Sequence, residues 1–135
     1  MDIRDLSIGD WVQDANGKYA QILGIEDWSD GYMLNVRING VNVGCVSASA
    51  ALPIPITPEI LEKNGWKLSK SNWFELEDGE WEINIWIGKY KCNIEVSQKR
   101  EIYASPYADI QVVKSNINIL QHALRLVGVG KEITL

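Results

Sequence analysis

The stretch WEINIWIGKYKCNIEV, residues 81–96, decides the fold. Apolar side chains occupy every second position on both sides of Gly88-Lys89, and mostly polar ones fill the positions between them. Such alternation is typical of strands with one buried face, and Gly at the first central position suits a two-residue type II′ turn. The stretch therefore predicts an antiparallel hairpin with four pairs: Ile87 with Tyr90, Ile85 with Cys92, Ile83 with Ile94, and Trp81 with Val96.

A second hairpin is predicted near the start of the chain. The loop Asp14–Lys18 has the composition of a three-residue turn in which Gly17 adopts a left-handed conformation. Pairing outward from this loop places Val12 opposite Ala20. Small apolar groups then share one face of the hairpin, as antiparallel pairing favours.

A third hairpin is predicted at Asn39-Gly40, because this dipeptide tolerates the positive φ angles of a type I′ turn. Pairing outward matches only apolar residues: Ile38 with Val41, Val36 with Val43, and Leu34 with Cys45. Cys45 and Cys92 are therefore expected as buried thiols. Two Cys are too few for a disulfide framework or a Cys-based zinc site, and they suggest a reducing compartment.

A short helix is predicted between the hairpin at Asn39-Gly40 and the hairpin at residues 81–96. Thr57 can cap it, Pro58 suits its first position and Asn64-Gly65 can end it. Trp66 is expected to pack this helix against a sheet. Further extended segments are expected at residues 73–76, 100–103 and 108–113.

A longer helix is predicted over Ile117–Val127, with Ser115-Asn116 as its cap and Gly128 as its end. Its apolar residues recur at spacings of three and four, so one face should pack on a sheet. This face comprises Ile117, Leu120, Leu124 and Val127, widened by Ile119, Ala123 and Leu126. The opposite side should carry Asn118, Gln121, His122 and Arg125, and residues 131–135 should form an edge strand or a tail.

Together these elements predict an α+β, mainly β fold. It consists of antiparallel hairpins with one short central helix and one C-terminal helix packed on a sheet. A chain of 135 residues suits one compact domain. Two lobes within it are allowed, residues 1–56 and residues 57–135.

Three segments, IRDLSIGDWV at 3–12, IPITPEILEKNGW at 54–66 and LQHALRL at 120–126, together carry a resemblance. They resemble a group of small uncharacterised proteins that are frequent in gut Bacteroidetes and in their phages and mobile elements. This resemblance implies a phage or mobile-element origin and carries over no catalytic residue. The opening Leu6–Val12 also looks like the entry into a small SH3-like barrel, which implies a barrel in the first lobe.

Charge and composition exclude several function classes. A net charge of −5 argues against binding of duplex nucleic acid. No stretch has the length of a membrane span and no signal peptide is evident, so we expect no membrane partner and a location in the bacterial cytoplasm. His122 is the single His, so a His-rich metal site is excluded. We therefore expect no catalytic residue, no metal and no cofactor.

Six tryptophans are many for so small a chain, and they divide by position. Three have structural explanations: Trp11, Trp66 and Trp81. Three others fall on polar faces or in loops and form the candidate binding site: Trp28, Trp86 and Trp73. Charged neighbours of the hairpins complete this candidate site: Lys91, Lys89, Glu77, Asp78 and Glu80. The acidic residues can equally be a solvated turn that keeps the sheet soluble.

Three functions remain open at this point. The first is a non-catalytic binding protein that contacts a host or phage protein, for example to inhibit a host defence component or to assist assembly. The second is capture of a small ligand, such as a nucleotide or sugar, between aromatic loop residues. The third and least favoured is a carboxylate-based hydrolase. A homo-oligomer is compatible with each of them.

Overall fold

The described residues form two antiparallel sheets and two α-helices, which confirms the α+β, mainly β prediction. The computed structural model describes residues 3–89, 91–98, 108–112 and 116–135, and for 108–112 it describes the backbone. The first sheet has the order β1-β2-β3-β4. Its strands are β1 (Trp11–Gln13), β2 (Tyr19–Trp28), β3 (Gly31–Ile38) and β4 (Val41–Ser47).

The second sheet has the order β5-β6-β7-β8-β9. Its strands are β5 (Lys67–Lys70), β6 (Trp73–Asp78), β7 (Trp81–Ile87), β8 (Cys92–Gln98) and β9 (Ala108–Val112). The helices are α1 (Pro58–Lys63) and α2 (Ile117–Leu126). Neither helix is long and apolar enough to cross a membrane, in the part of the chain that the structure describes.

The chain divides into two compact units, Met1–Ile54 and Pro55–Leu135. The first unit has its own apolar core, built by Leu6, Val12, Ala20, Ile22, Leu34, Val36, Ala48 and Ala51. Its sheet is open, because β1 and β4 are the two edges and do not pair with each other within residues 3–54. The closed barrel that the SH3-like opening implies is therefore not formed by this sheet.

The hairpin of β1 and β2 confirms the sequence prediction. Val12 lies opposite Ala20, and Gly17 has a φ of 80°. The Asp14 carboxylate accepts hydrogen bonds from the backbone N–H groups of Asn16 and Lys18, both at 2.9 Å. The loop is thus fixed by the side chain of Asp14, which is why the five consecutive residues Asp14–Lys18 suffice to predict it.

The hairpin of β3 and β4 confirms the predicted turn but corrects the register. Asn39-Gly40 has positive φ at both residues, 51° and 77°. Farther along, Val43 is an extra residue in β4, so Val36 pairs with Gly44 and not with Val43. Gly44 has a φ of 94°, which suits a β-bulge. Because a one-residue shift exchanges the two faces of a strand, Cys45 is exposed, and the prediction of a buried thiol is wrong.

The hairpin of β7 and β8 is displaced by two residues from its prediction. Ile87 pairs with Cys92, so the connection is four residues long, and Gly88 is not left-handed as a type II′ turn requires. Because the side-chain period of a strand is two, this displacement leaves both faces as predicted. The buried face includes Ile83, Ile85, Cys92, Ile94 and Val96. Tyr90 lies outside the described residues.

Helix α1 confirms its predicted signals. The Thr57 hydroxyl accepts a hydrogen bond from the backbone N–H of Ile60 at 3.3 Å, and Pro58 is the first helical residue. Gly65 has a φ of 98° just beyond the helix. Trp66 is 2% exposed and donates from its indole to the backbone oxygen of Ile83, so it packs this segment against β7 as predicted.

Helix α2 begins at Ile117 as predicted and ends at Leu126, one residue before the predicted end, and its two sides are partly misassigned. Asn116 caps it through a 3.0 Å bond to the backbone N–H of Ile119, and Gly128 follows it with a φ of 87°. Leu126 is 84% exposed, so it does not widen the packed face. Asn118 and Gln121 are both buried, and Gln121 holds the C-terminal segment through hydrogen bonds to the backbone of residues 131 and 133.

Two predictions concern residues near β9. A strand at residues 108–113 is confirmed by β9, which ends at Val112. The extended segment predicted at residues 100–103 lies outside the described residues.

The C-terminal residues 131–135 are described and do not form a strand, so of the two predicted alternatives the tail is confirmed.

Candidate functional site

The connection of β2 and β3 presents two aromatic side chains to solvent. Trp28 pairs with Gly31, so only Ser29 and Asp30 connect the strands. Trp28 is 50% exposed and Tyr32 is 43% exposed. Since residues 27–32 are all exposed, we refer to Asp27–Tyr32 as the aromatic tip.

The indole of Trp28 is exposed but held in place. Its Nε1 donates a 2.8 Å hydrogen bond to Glu26, two residues earlier on the same face of β2. The other carboxylate oxygen of Glu26 accepts a 3.0 Å hydrogen bond from the side-chain amide of Asn35 on β3. Both hydrogen bonds lower the pKa of Glu26, and the bond from Asn35 has the larger effect. The carboxylate therefore remains an acceptor at neutral pH.

A third strand joins this set of side chains. The Cys45 thiol on β4 lies 3.0 Å from the Asn35 side-chain oxygen, in hydrogen-bond geometry. Asn35 sits above Gly24, where an added Cβ would lie 3.5 Å from the Asn35 amide nitrogen. The β-bulge between Ile22 and Gly24 and the bulge in β4 bring these groups onto one outer face.

The aromatic tip is surrounded by negatively charged side chains. Glu26, Asp27 and Asp30 are exposed, and the sequence contains no Lys or Arg between Lys18 and Arg37. A protein surface of this sign attracts cationic partners over distances of about a Debye length, ~8–10 Å. The tip therefore combines an oriented aromatic ring with a local negative potential.

Trp73 and Trp86 lie directly opposite each other on the second sheet. The indole of Trp73 donates a 3.1 Å hydrogen bond to Glu75, and the ammonium of Lys70 lies 5.3 Å from the ring centroid. The ring of Trp86 lies against Gly88, where an added Cβ would come within 2.6 Å of it. Both rings are half-buried and partly covered by their own sheet and turn.

The charged residues of the candidate site lie at opposite ends of β7. Glu77, Asp78 and Glu80 surround its start and form the acidic turn, whereas Lys89 and Lys91 follow its end and form the basic turn. Seven residues of strand separate them, which corresponds to about 20 Å. The structure thus brings Trp73 and Trp86 together near the basic turn, and it places the acidic turn apart from them.

Sequence reasoning identified Trp28 but missed the side chains that hold it. Glu26, Asn35 and Cys45 were not candidate residues, and neither was Tyr32. The period of two along β2 could have linked Glu26 to Trp28, because alternate residues share a strand face. Asn35 and Cys45 could not be placed beside them without the two bulges.

The described residues contain no group of three or more His, Cys, Asp or Glu side chains that could hold a metal ion. Comparison with known proteins adds no assignment: the chain matches no protein-family model, no curated protein and no solved structure.

Proposed function

We propose that the protein is a non-catalytic binding protein that binds another protein through the aromatic tip. The observation that carries this proposal is the half-exposed indole of Trp28, fixed by Glu26 and Asn35. Tryptophan is enriched among the residues that dominate binding energy at protein interfaces. A ring that is already oriented loses less conformational entropy when a partner covers it.

The exposed part of Trp28 is large enough to anchor an interface. Covering about half of an indole side chain removes roughly 100 Å² of mostly apolar surface from water, which is worth about 2–3 kcal/mol. Tyr32 adds a second exposed ring at the tip, on the opposite face of the hairpin from Trp28, because it pairs with Asp27. The carboxylates of Asp27 and Asp30 favour a partner that presents Lys or Arg beside its apolar contact.

The biological setting is part of the same proposal. A phage or mobile element in the bacterial cytoplasm is supported by the resemblance of the three quoted segments. In that setting the partner is a host or phage protein, and its occupation serves to inhibit a defence component or to assist assembly. The acidic turn, with Glu77, Asp78 and Glu80, is a second predicted contact surface for such a partner.

Affinity purification from the native host tests this proposal. Tagged wild type, Trp28→Ala and Leu68→Ala are compared, because Leu68 is an equally exposed apolar residue in the other unit. We expect the partner to be retained by Leu68→Ala and to bind Trp28→Ala about 50-fold more weakly, the equivalent of the 2–3 kcal/mol above. A photo-crosslinking residue in place of Ser29, which is exposed and directly follows Trp28, should attach to the same partner.

Two results would contradict the proposal. The first is equal recovery of a partner by the wild type and Trp28→Ala. The second is a loss of more than about 1 kcal/mol in the unfolding free energy of Trp28→Ala, which would mark Trp28 as a structural residue.

A second candidate function, capture of a small ligand such as a nucleotide or sugar, is favoured by one arrangement. Trp73 and Trp86 are neighbours near the end of the sheet that carries Lys89 and Lys91. Aromatic rings can stack on a base or sugar while lysines neutralise phosphate. A thermal-shift screen with nucleotides and sugars tests it: stabilisation that disappears in Trp86→Ala supports capture, and no response argues against it.

A further inference from the structure

Strand β4 is an exposed edge of the first sheet. It lies at the end of the strand order, and its first five residues are exposed. Val41 and Val43 are 61% and 52% exposed. An edge strand directs half of its backbone hydrogen-bonding groups away from the sheet, where they can pair with another strand.

Two other sheet edges, β1 and β5, are covered or charged. On the opposite edge of the same sheet, Gln13 of β1 exchanges two 2.9 Å backbone hydrogen bonds with Leu52. Edge strand β5 of the second sheet has only four residues, and two of them are Lys67 and Lys70. Lysines on an edge disfavour pairing with another strand.

Strand β4 lacks this protection by charge. It contains no charged residue, and none occurs anywhere between Arg37 and Glu59. The chain as a whole has a net charge of −5, so two copies repel each other where acidic residues face one another. Two copies that approach through β4 bring no like charges into contact along the strand.

We propose that β4 pairs in antiparallel fashion with β4 of a second copy of this chain and forms a two-fold symmetric dimer. Antiparallel pairing about a two-fold axis uses the same edge of both copies, as a closed dimer requires. The contact joins two four-stranded sheets into one continuous sheet and covers the exposed Val41 and Val43 side chains. This inference does not depend on the proposed binding function of the aromatic tip.

The bulge in β4 sets the expected strength of this dimer. Val43 and Gly44 interrupt the regular ladder with β3, and a bulged edge pairs over a shorter length. We therefore expect a dimer that dissociates on dilution and does not persist as a permanent assembly.

Sedimentation equilibrium over a range of protein concentrations tests the inference. The wild type should approach twice the monomer mass as concentration rises. Val43→Lys, and independently Val41→Lys, should remain monomeric while they keep the wild-type circular dichroism spectrum. Leu68→Lys is the matched control, because it places the same charge at an exposed apolar position on β5, and it should dimerise like the wild type.

Hydrogen exchange identifies the surface. Amides of β4 should exchange more slowly at high than at low protein concentration, whereas those of β5 should not change. A wild type that remains monomeric up to its solubility limit would overturn the inference. A dimer that survives both valine substitutions, or that shows no added protection in β4, would overturn it as well.

Discussion

The side-chain amide of Gln121 joins α2 to the C-terminal segment, and its removal tests how that segment is held. Its Nε2 donates to the backbone oxygen of Lys131 at 2.9 Å, and its Oε1 accepts from the backbone N–H of Ile133 at 2.7 Å. Gln121 and Ile133 are 5% and 4% exposed. One amide thus serves two backbone groups as a neighbouring strand would. We expect Gln121→Ala to lose both bonds at once.

The magnitude follows from burial. A buried backbone group that loses its partner costs about 1–3 kcal/mol, and a part-buried one costs less. The buried Ile133 N–H and the part-buried Lys131 carbonyl together predict a loss of about 2–3 kcal/mol in unfolding free energy. The matched control is Arg125→Ala, which removes an ion pair with Glu132 between the same helix and the same segment. The side chains of this pair are 39% and 62% exposed, so the control should cost at most about 1 kcal/mol.

Urea unfolding and amide hydrogen exchange measure the two effects. Gln121→Met keeps the side-chain volume and should still lose about 2 kcal/mol, which separates the hydrogen bonds from the packing. The Ile133 amide should exchange faster in both Gln121 variants than in the wild type. A loss in Gln121→Ala no larger than that in Arg125→Ala, or unchanged protection of the Ile133 amide, would contradict this prediction.

Two further predictions concern a buried thiol and a helix cap. Burial raises the pKa of Cys92 from 9.0 to about 11. Between these values the unfolded chain ionises its thiol while the folded chain keeps the proton, so stability should fall by up to about 3 kcal/mol as pH rises through this range. The wild type measured against Cys92→Ala isolates this slope, and equal slopes would contradict it. Thr57→Ala should cost about 1 kcal/mol in urea unfolding by removing the cap on Ile60, whereas Thr57→Ser should restore most of it; equal losses in both variants would contradict the cap.

Two of the three predicted hairpin turns and the ends of the helices follow from the sequence, whereas the turn between β7 and β8 does not. The first loop and the starts of both helices are each fixed by a hydrogen bond between residues at most four apart, so the information is local. The acceptors of these bonds are the side chains of Asp14, Thr57 and Asn116. The sequence also determined which face of β7 and β8 is buried. An error of two residues in register leaves every side chain on its face, because the strand period is two.

The tertiary structure alone decided what depends on bulges and on distant segments. The extra residue Val43 places Cys45 on the outer face, where it reaches Asn35. Gly44 permits a bulge within residues 41–45, but the residue by itself does not show that the register shifts there. Likewise Gln121 has the spacing of a solvent-facing residue, and it is buried only because residues 131–133 return to it. The candidate site divides in the same way: the sequence marked Trp28 as an exposed ring, and only strand pairing across β2, β3 and β4 supplied the side chains that orient it.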